Sequence, residues 1–397
     1  MSTYTAGRHF LQIPGPTNLP ERVARALSRS TIDHRGPAFA RLTLNILERL
    51  QLVFQTQGPV VVFPSSGTGA WEAALVNALS PGDRVLFGDN GQFAVNWQKV
   101  AVGLGLKVET LPGDWRCPLD VAALESRLAS DRDRDIRAVA IVHNETSTGV
   151  VNDVAAARAA LDRTGHDALL LVDVISSLGA IDYRHEEWGV DVTVAGSQKG
   201  LMLPPGLGFN ALSPKALEAA GSACLPRSYW DWNPILEFNQ RGFFPYTPAI
   251  NLLFALDEAL SMLLEEGLPH VFARHARLGE ATRRAVRGWG LDVFCQDPCA
   301  YSQALTAVSM PAGYDADELR RVILERFDMS LGTGLGKVKG KVFRIGHLGD
   351  LNELTLAGTL CGIEMGLAAS RVPHTSGGVG RALEFLADSP ADDLNHM

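Results

Sequence analysis

From Pro59 to Asn210 the chain alternates short apolar runs with longer stretches in which apolar residues recur at helical spacing. Val60–Phe63 precedes a stretch predicted as helix from Gly69 to Leu79. Arg84–Phe87 precedes a helix near Asn96–Leu104, and Lys107–Thr110 is a further short strand. Ile136–His143 leads to a helix over Asp153–Arg163, and Ala168–Asp173 and Val192–Ala195 are two more apolar runs. Strands that are apolar throughout, rather than alternating with polar residues, are covered on both faces. The pattern therefore predicts an α/β fold with a mainly parallel sheet between two helical layers. On such sheets ligands sit beyond the carboxyl ends of the strands.

The character changes near Asn251. A helical stretch from Leu252 to Leu264 ends at Gly267, and the remainder reads as a smaller α+β unit. Its predicted strands are Ala304–Met310 and Val342–Gly346, and its predicted helices are Asp315–Phe327 and Leu354–Leu367. The expected division is a large domain over 1–260, with an N-terminal arm, and a small C-terminal domain over 261–397. The polar tail from about Asp388, which contains Pro390, is expected to fray.

Composition narrows the function classes. With 397 residues, 46% of them hydrophobic, the chain can bury a core large enough for two domains. The formal charge of −8, from 36 basic and 44 acidic residues without a basic run, speaks against nucleic acid or an anionic membrane as partner. No segment approaches the roughly 18 apolar residues of a membrane span. Met1 to Gln12 lack the apolar centre of a secretory signal, and Asn395-His396-Met397 is not a peroxisomal address. Five cysteines at irregular spacing fit the reduced cytoplasm. Cys295 and Cys299 lack the second pair or histidine cluster of a zinc site, so no metal is expected.

Two strand ends carry the first chemical signal. Leu169 to Val172 end in Asp173, and the run after Val192 ends in Gly196-Ser197-Gln198-Lys199-Gly200. Asp173 alone reads equally as a turn acid or helix cap. A lysine among small residues and just before Leu201-Met202-Leu203 is partly buried, which lowers its pKa and makes it nucleophilic. Together an acid and a lysine at adjacent strand ends suit pyridoxal phosphate chemistry. The amine condenses with the cofactor aldehyde, and the acid keeps the pyridine nitrogen protonated. Ser66-Gly67-Thr68, after a strand, can close around a phosphate at a helix N-terminus or simply cap that helix. The hydroxyls of His143-Asn144-Glu145-Thr146-Ser147 can meet a ring substituent or cap a turn. Arg344, inside the apolar Val342–Gly346, needs an anion: a substrate carboxylate or a structural acid. His347 reads as a packed histidine.

These features in this order make the chain resemble the class V, fold-type I pyridoxal-phosphate-dependent aminotransferases, the serine–glyoxylate and alanine–glyoxylate enzymes most of all. The resemblance runs from Ile13-Pro14-Gly15-Pro16-Thr17-Asn18 to about Gly366. It is most specific in Gly196-Ser197-Gln198-Lys199 and Phe343-Arg344-Ile345-Gly346-His347. It implies Lys199 as the lysine that binds pyridoxal 5'-phosphate and Asp173 as the pyridinium partner. Ser66, Gly67, Thr68 and Gln198 would hold the phosphate, Thr146 the ring oxygen, and Phe93 would stack on the ring. Arg344 would bind the substrate α-carboxylate. It also implies a homodimer in which Thr247 reaches the neighbouring subunit's phosphate. Phe244 stands where relatives often have tyrosine, so one hydroxyl contact is absent, and Phe93 stands where some have tryptophan or tyrosine.

The segments Ser228–Asn233 and Asp350–Leu354 favour serine as donor and glyoxylate as acceptor by resemblance, with alanine or aspartate as alternative donors. Three rival readings share the fold. A cysteine desulfurase or related lyase needs a cysteine facing the cofactor, for which Cys224 is the one candidate. A pyridoxamine–pyruvate aminotransferase needs no phosphate ligands. A non-catalytic regulatory protein on this fold would normally carry an added DNA-binding segment.

Overall fold

The apolar runs pair into one seven-stranded sheet in a computed structural model that describes residues 6–388. Its spatial order is Val60–Ser65, Gly206–Leu212, Val192–Gly196, Leu169–Asp173, Ile136–Val142, Arg84–Asp89, Lys107–Pro112. Five of these run parallel to their neighbours, and Gly206–Leu212 runs antiparallel to the strands on either side. Side-chain alternation explains the continuous hydrophobicity. Val60, Val62, Leu170 and Val172 enter one buried cluster, while Val61, Phe63, Leu169 and Leu171 enter the other. Each such side chain contributes about 1.5–3 kcal/mol on full burial.

Gly206–Leu212 was not expected as a strand. Two glycines and an asparagine in seven residues give it little intrinsic β-preference. Pairing on both edges supplies what local sequence does not. The helix Gly67–Ala78 is buried on nearly all sides, as its run of alanines allows, and packs on the central strands with Gln92–Gly103 and Pro214–Ser222 around it. Its N-terminus therefore opens at the carboxyl ends of the strands.

A second, five-stranded sheet follows the order Phe10–Gln12, Met329–Thr333, Val342–Gly346, Leu305–Ser309, Asp292–Val293. The strand Phe10–Gln12 pairs in parallel with Met329–Leu331, so the N-terminal arm joins this sheet rather than the first. Residues after Gln12 then pass between Gly346 and Lys199. A side chain at Gly346 would meet the carbonyl oxygen of Ile13 at 2.2 Å. The helix Ile250–Glu266 ends at Gly267, where the sequence pattern placed its end, and is followed directly by the helix Leu268–Gly288, which that pattern did not mark. Among the described residues no helix is long and apolar enough to cross a membrane. The last described helix closes at Asp388, so the expected fraying of the tail falls outside the described residues.

Candidate active site

A cavity of about 120 Å³ opens at the strand ends, lined by Ser66, Gly67, Thr68, Trp71, Phe93, Asn144, Thr146, Asp173, Gln198 and Lys199 among others. Residues from five separate segments thus converge there. All of those read from the sequence as cofactor-holding are present except Thr247, which is exposed and lies outside this lining.

Asp173 ends its strand with 3% of its surface exposed. Oδ1 accepts the Ile175 N–H at 2.7 Å and Oδ2 accepts the Trp71 indole N–H at 2.8 Å. Burial pushes its carboxyl up to about 7, against the pull of those two donors and of Lys199. A cation placed against it favours the ionised form, so a buried pyridinium and this acid suit one another. Asp173 does close a turn through Ile175, as a bland strand-end acid would, but its second oxygen faces the cavity helix.

Lys199 is likewise buried, and burial together with the positive charge of Arg344 lowers its amine to about 8. Nζ donates to the Pro14 carbonyl oxygen at 2.6 Å. Thr17 grips the same segment, its N–H on the Gln198 carbonyl and its hydroxyl on the Lys199 carbonyl, both at 3.1 Å.

At the phosphate end, Ser66 occupies the N-cap position of Gly67–Ala78, yet its side chain makes no capping hydrogen bond. Ser66 and Thr68 are exposed, so their hydroxyls and the first helix N–H groups stay available to an anion. Gln198 Oε1 and Asn144 Oδ1 are buried without partners. Orphaned polar atoms in a small polar cavity, beside a bare helix N-terminus, an acid and a neutral-leaning amine, fit a flat phosphorylated heterocycle.

Phe93 is set by Glu145. This buried carboxylate accepts the N–H groups of Phe93 and Ala94 at 3.1 Å each and the Ser147 hydroxyl at 2.6 Å. Burial raises its pKa despite these donors. Thr146 donates through Oγ1 to Ser176 at 2.7 Å and offers its carbonyl to Arg344 Nη1 at 2.8 Å. Arg344 Nε donates to the Thr333 carbonyl at 2.7 Å. Among the described residues no carboxylate lies within 4.0 Å of this guanidinium, so the structural ion pair is not what holds it. Burial lowers it to about 10, against the longer-range pull of Glu145, so it is still charged at neutral pH, with Nη2 left for an anionic ligand.

His347 is buried between Thr306 and the Gln303 carbonyl, with its pKa lowered by burial to about 3. None of the five cysteines lines the cavity, and Cys224 is exposed with its Sγ on the Ser222 carbonyl. Phe244 packs edge-on against Phe39, while the Tyr246 hydroxyl is directed to the Val62 carbonyl. Among the described residues no group of three or more His, Cys, Asp or Glu is placed to hold a metal ion. Sequence reasoning missed Trp71, Glu145 and Ser176 as site residues. Only Glu145 carried a local trace, as an acid inside a buried hydroxyl-rich turn.

Residues 9–334 match the sequence family described as aminotransferase class V. A serine–glyoxylate aminotransferase of Arabidopsis thaliana is 48% identical over 386 residues, 96% of each chain. An L-aspartate–glyoxylate aminotransferase of Paracoccus denitrificans is 44% identical over 381 residues, again 96% of each. Among solved structures, the ureidoglycine–glyoxylate aminotransferase of Bacillus subtilis superposes with a TM-score of 0.90 at 26% identity, covering 97% of this chain and 100% of that one.

Proposed function

The chain belongs to the class V aminotransferases, and from that premise we propose that its physiological reaction moves the amino group of L-serine to glyoxylate, giving hydroxypyruvate and glycine. It is a fold-type I enzyme of the pyridoxal-phosphate-dependent kind. The observation that carries the reading is the joint burial of Lys199 and Asp173 on one cavity, with Arg344 anchored by two backbone carbonyls and one nitrogen uncommitted.

When bound, pyridoxal phosphate supplies an aldehyde for the amine and a ring that accepts electrons. Ser66, Gly67, Thr68 and Gln198 would hold its phosphate, Phe93 would stack on the ring, Thr146 would meet the ring oxygen and Asp173 the ring nitrogen. With the cofactor bound, Lys199 Nζ would be the base that takes the donor's α-proton and the acid that gives the same proton back to the cofactor carbon. Its lowered pKa places a useful share of the neutral amine near physiological pH. Arg344 pairs with the α-carboxylate of both substrates and so aligns the Cα–H bond with the waiting amine. Alanine or aspartate as donor is the second reading, supported by the aspartate-specific name of the Paracoccus relative.

The same reading makes the working unit a homodimer in which Thr247, exposed on its own chain, meets the partner's phosphate site. It divides the chain near residue 260 into a large and a small domain, with the arm's strand Phe10–Gln12 lent to the small domain's sheet, and it takes the enzyme to be cytoplasmic, in keeping with five unpaired cysteines. A panel of L-amino acids against glyoxylate tests the substrate pair. Serine giving the highest kcat/KM supports it; alanine or aspartate exceeding serine reassigns the donor.

A further inference from the structure

Both oxygens of Asp173 are held, but by donors of different kinds. The Ile175 N–H is two residues away and belongs to the backbone, so any residue there except proline provides it. The Trp71 indole N–H arrives from the helix Gly67–Ala78, 102 residues earlier in the chain. Trp71 is 3% exposed and lines the cavity. Its ring is stacked on Trp97 at 5.9 Å between centroids and 12° between planes, and Trp97 meets Phe87 edge-on at 5.7 Å. The indole is therefore locked in one orientation, and an indole N–H can only donate.

We propose that Trp71 is a positioning residue for the proton shared by Asp173 and the cofactor's pyridine nitrogen, its N–H orienting the carboxylate and holding it ionised. This rests on the role given to Asp173 above. Burial and the nearby Glu145 favour a neutral Asp173, while Lys199, Ile175 and Trp71 favour the charged form. Without the indole donor the proton moves from the ring toward Asp173. The ring then withdraws electrons less strongly, and removal of the α-proton by Lys199 slows. Arg344 and the phosphate cradle are untouched, so substrate binding is preserved.

Trp71→Phe removes the donor and keeps an aromatic ring. The expected result is a Kd for pyridoxal phosphate raised roughly tenfold or more, the scale of one hydrogen bond to a buried charge. The kcat falls by about the same factor, while KM for serine and glyoxylate stays within about twofold. Trp71→His, whose ring can still donate, recovers part of the affinity. Independently of any variant's folding, one indole N–H resonance of the 15N-labelled wild-type apoprotein should move when pyridoxal phosphate is added. The same resonance should be displaced in Asp173→Asn. A folded Trp71→Phe enzyme with unchanged Kd and kcat overturns the inference, as does a wild-type spectrum in which no indole signal responds. A wild-type protein that develops no visible absorbance band with pyridoxal phosphate overturns the reading of the site itself, a result that needs no Trp71 variant.

Discussion

Lys199 Nζ rests on the carbonyl oxygen of Pro14 at 2.6 Å, a hydrogen bond between residues 185 positions apart. The N-terminal arm thereby offers the reactive amine an acceptor when it is not joined to another group, and Thr17 fixes the backbone on either side of it. The amine is held at the site instead of swinging into solvent, which shortens the path to the substrate's α-proton.

Gly15 is what lets the arm lie this close. Its φ of +107° is one that side chains disfavour, and a Cβ there would stand 2.3 Å from Lys199 Cδ. Gly15→Ala should lower kcat at least about tenfold, because it combines roughly 1–3 kcal/mol of backbone strain with displacement of the lysine. Steady-state kinetics with serine and glyoxylate check this; wild-type kcat would show that the arm does not constrain Lys199.

Arg344→Ala should reduce kcat/KM for amino donor and oxo acceptor alike by roughly 2–4 kcal/mol, the scale of losing one partner of a buried carboxylate pair. Arg344→Lys should recover only a minor part, since a point charge cannot reproduce the fork. A loss confined to one substrate would reassign the carboxylate site.

The pH dependence of cofactor uptake follows from Lys199. Only the neutral amine attacks an aldehyde, and burial has brought its pKa down from 10.5 to about 8. Stopped-flow binding of pyridoxal phosphate to apoprotein should therefore accelerate about tenfold per pH unit below that value and level off above it. A rate still climbing steeply at pH 9.5 would mean that the amine titrates like an exposed lysine.

Hybrid dimers test the shared site. Lys199→Ala should lose the visible band and nearly all turnover, at least a factor of roughly 10²–10⁴ for a lost catalytic base. Thr247→Ala should bind the cofactor roughly tenfold more weakly. Mixing the two after subunit exchange rebuilds one complete site per hybrid, so full-affinity binding and activity should reappear in that fraction. Activity equal to the sum of the parents would place Thr247 outside the neighbour's site.

Much of the candidate chemistry was readable along the chain. Asp173 ends one apolar strand, Lys199 follows the end of another by three residues, and Arg344 stands alone in a third, because local periodicity marks where a strand ends and which polar residue its pattern does not explain. The alternatives left open at Ser66 and Arg344 needed coordinates. Whether a hydroxyl turns to its own helix depends on its rotamer, and whether an arginine meets an acid depends on atoms far away in sequence; here Ser66 makes no cap bond and Arg344 meets two backbone carbonyls.

The chain's own pattern pointed to the α/β layering and the strand–helix alternation from Val60 to Gly196, and it marked Asp173, Lys199 and Arg344 as candidates, since these follow from side-chain chemistry and near-neighbour spacing. Packing alone decided that Gly206–Leu212 is a strand, that Trp71 holds Asp173, and that the arm crosses to the second sheet and returns over Lys199. Those contacts join residues from about a dozen to more than three hundred positions apart, and they form because burial and hydrogen-bond satisfaction are settled over the whole core, not within one segment.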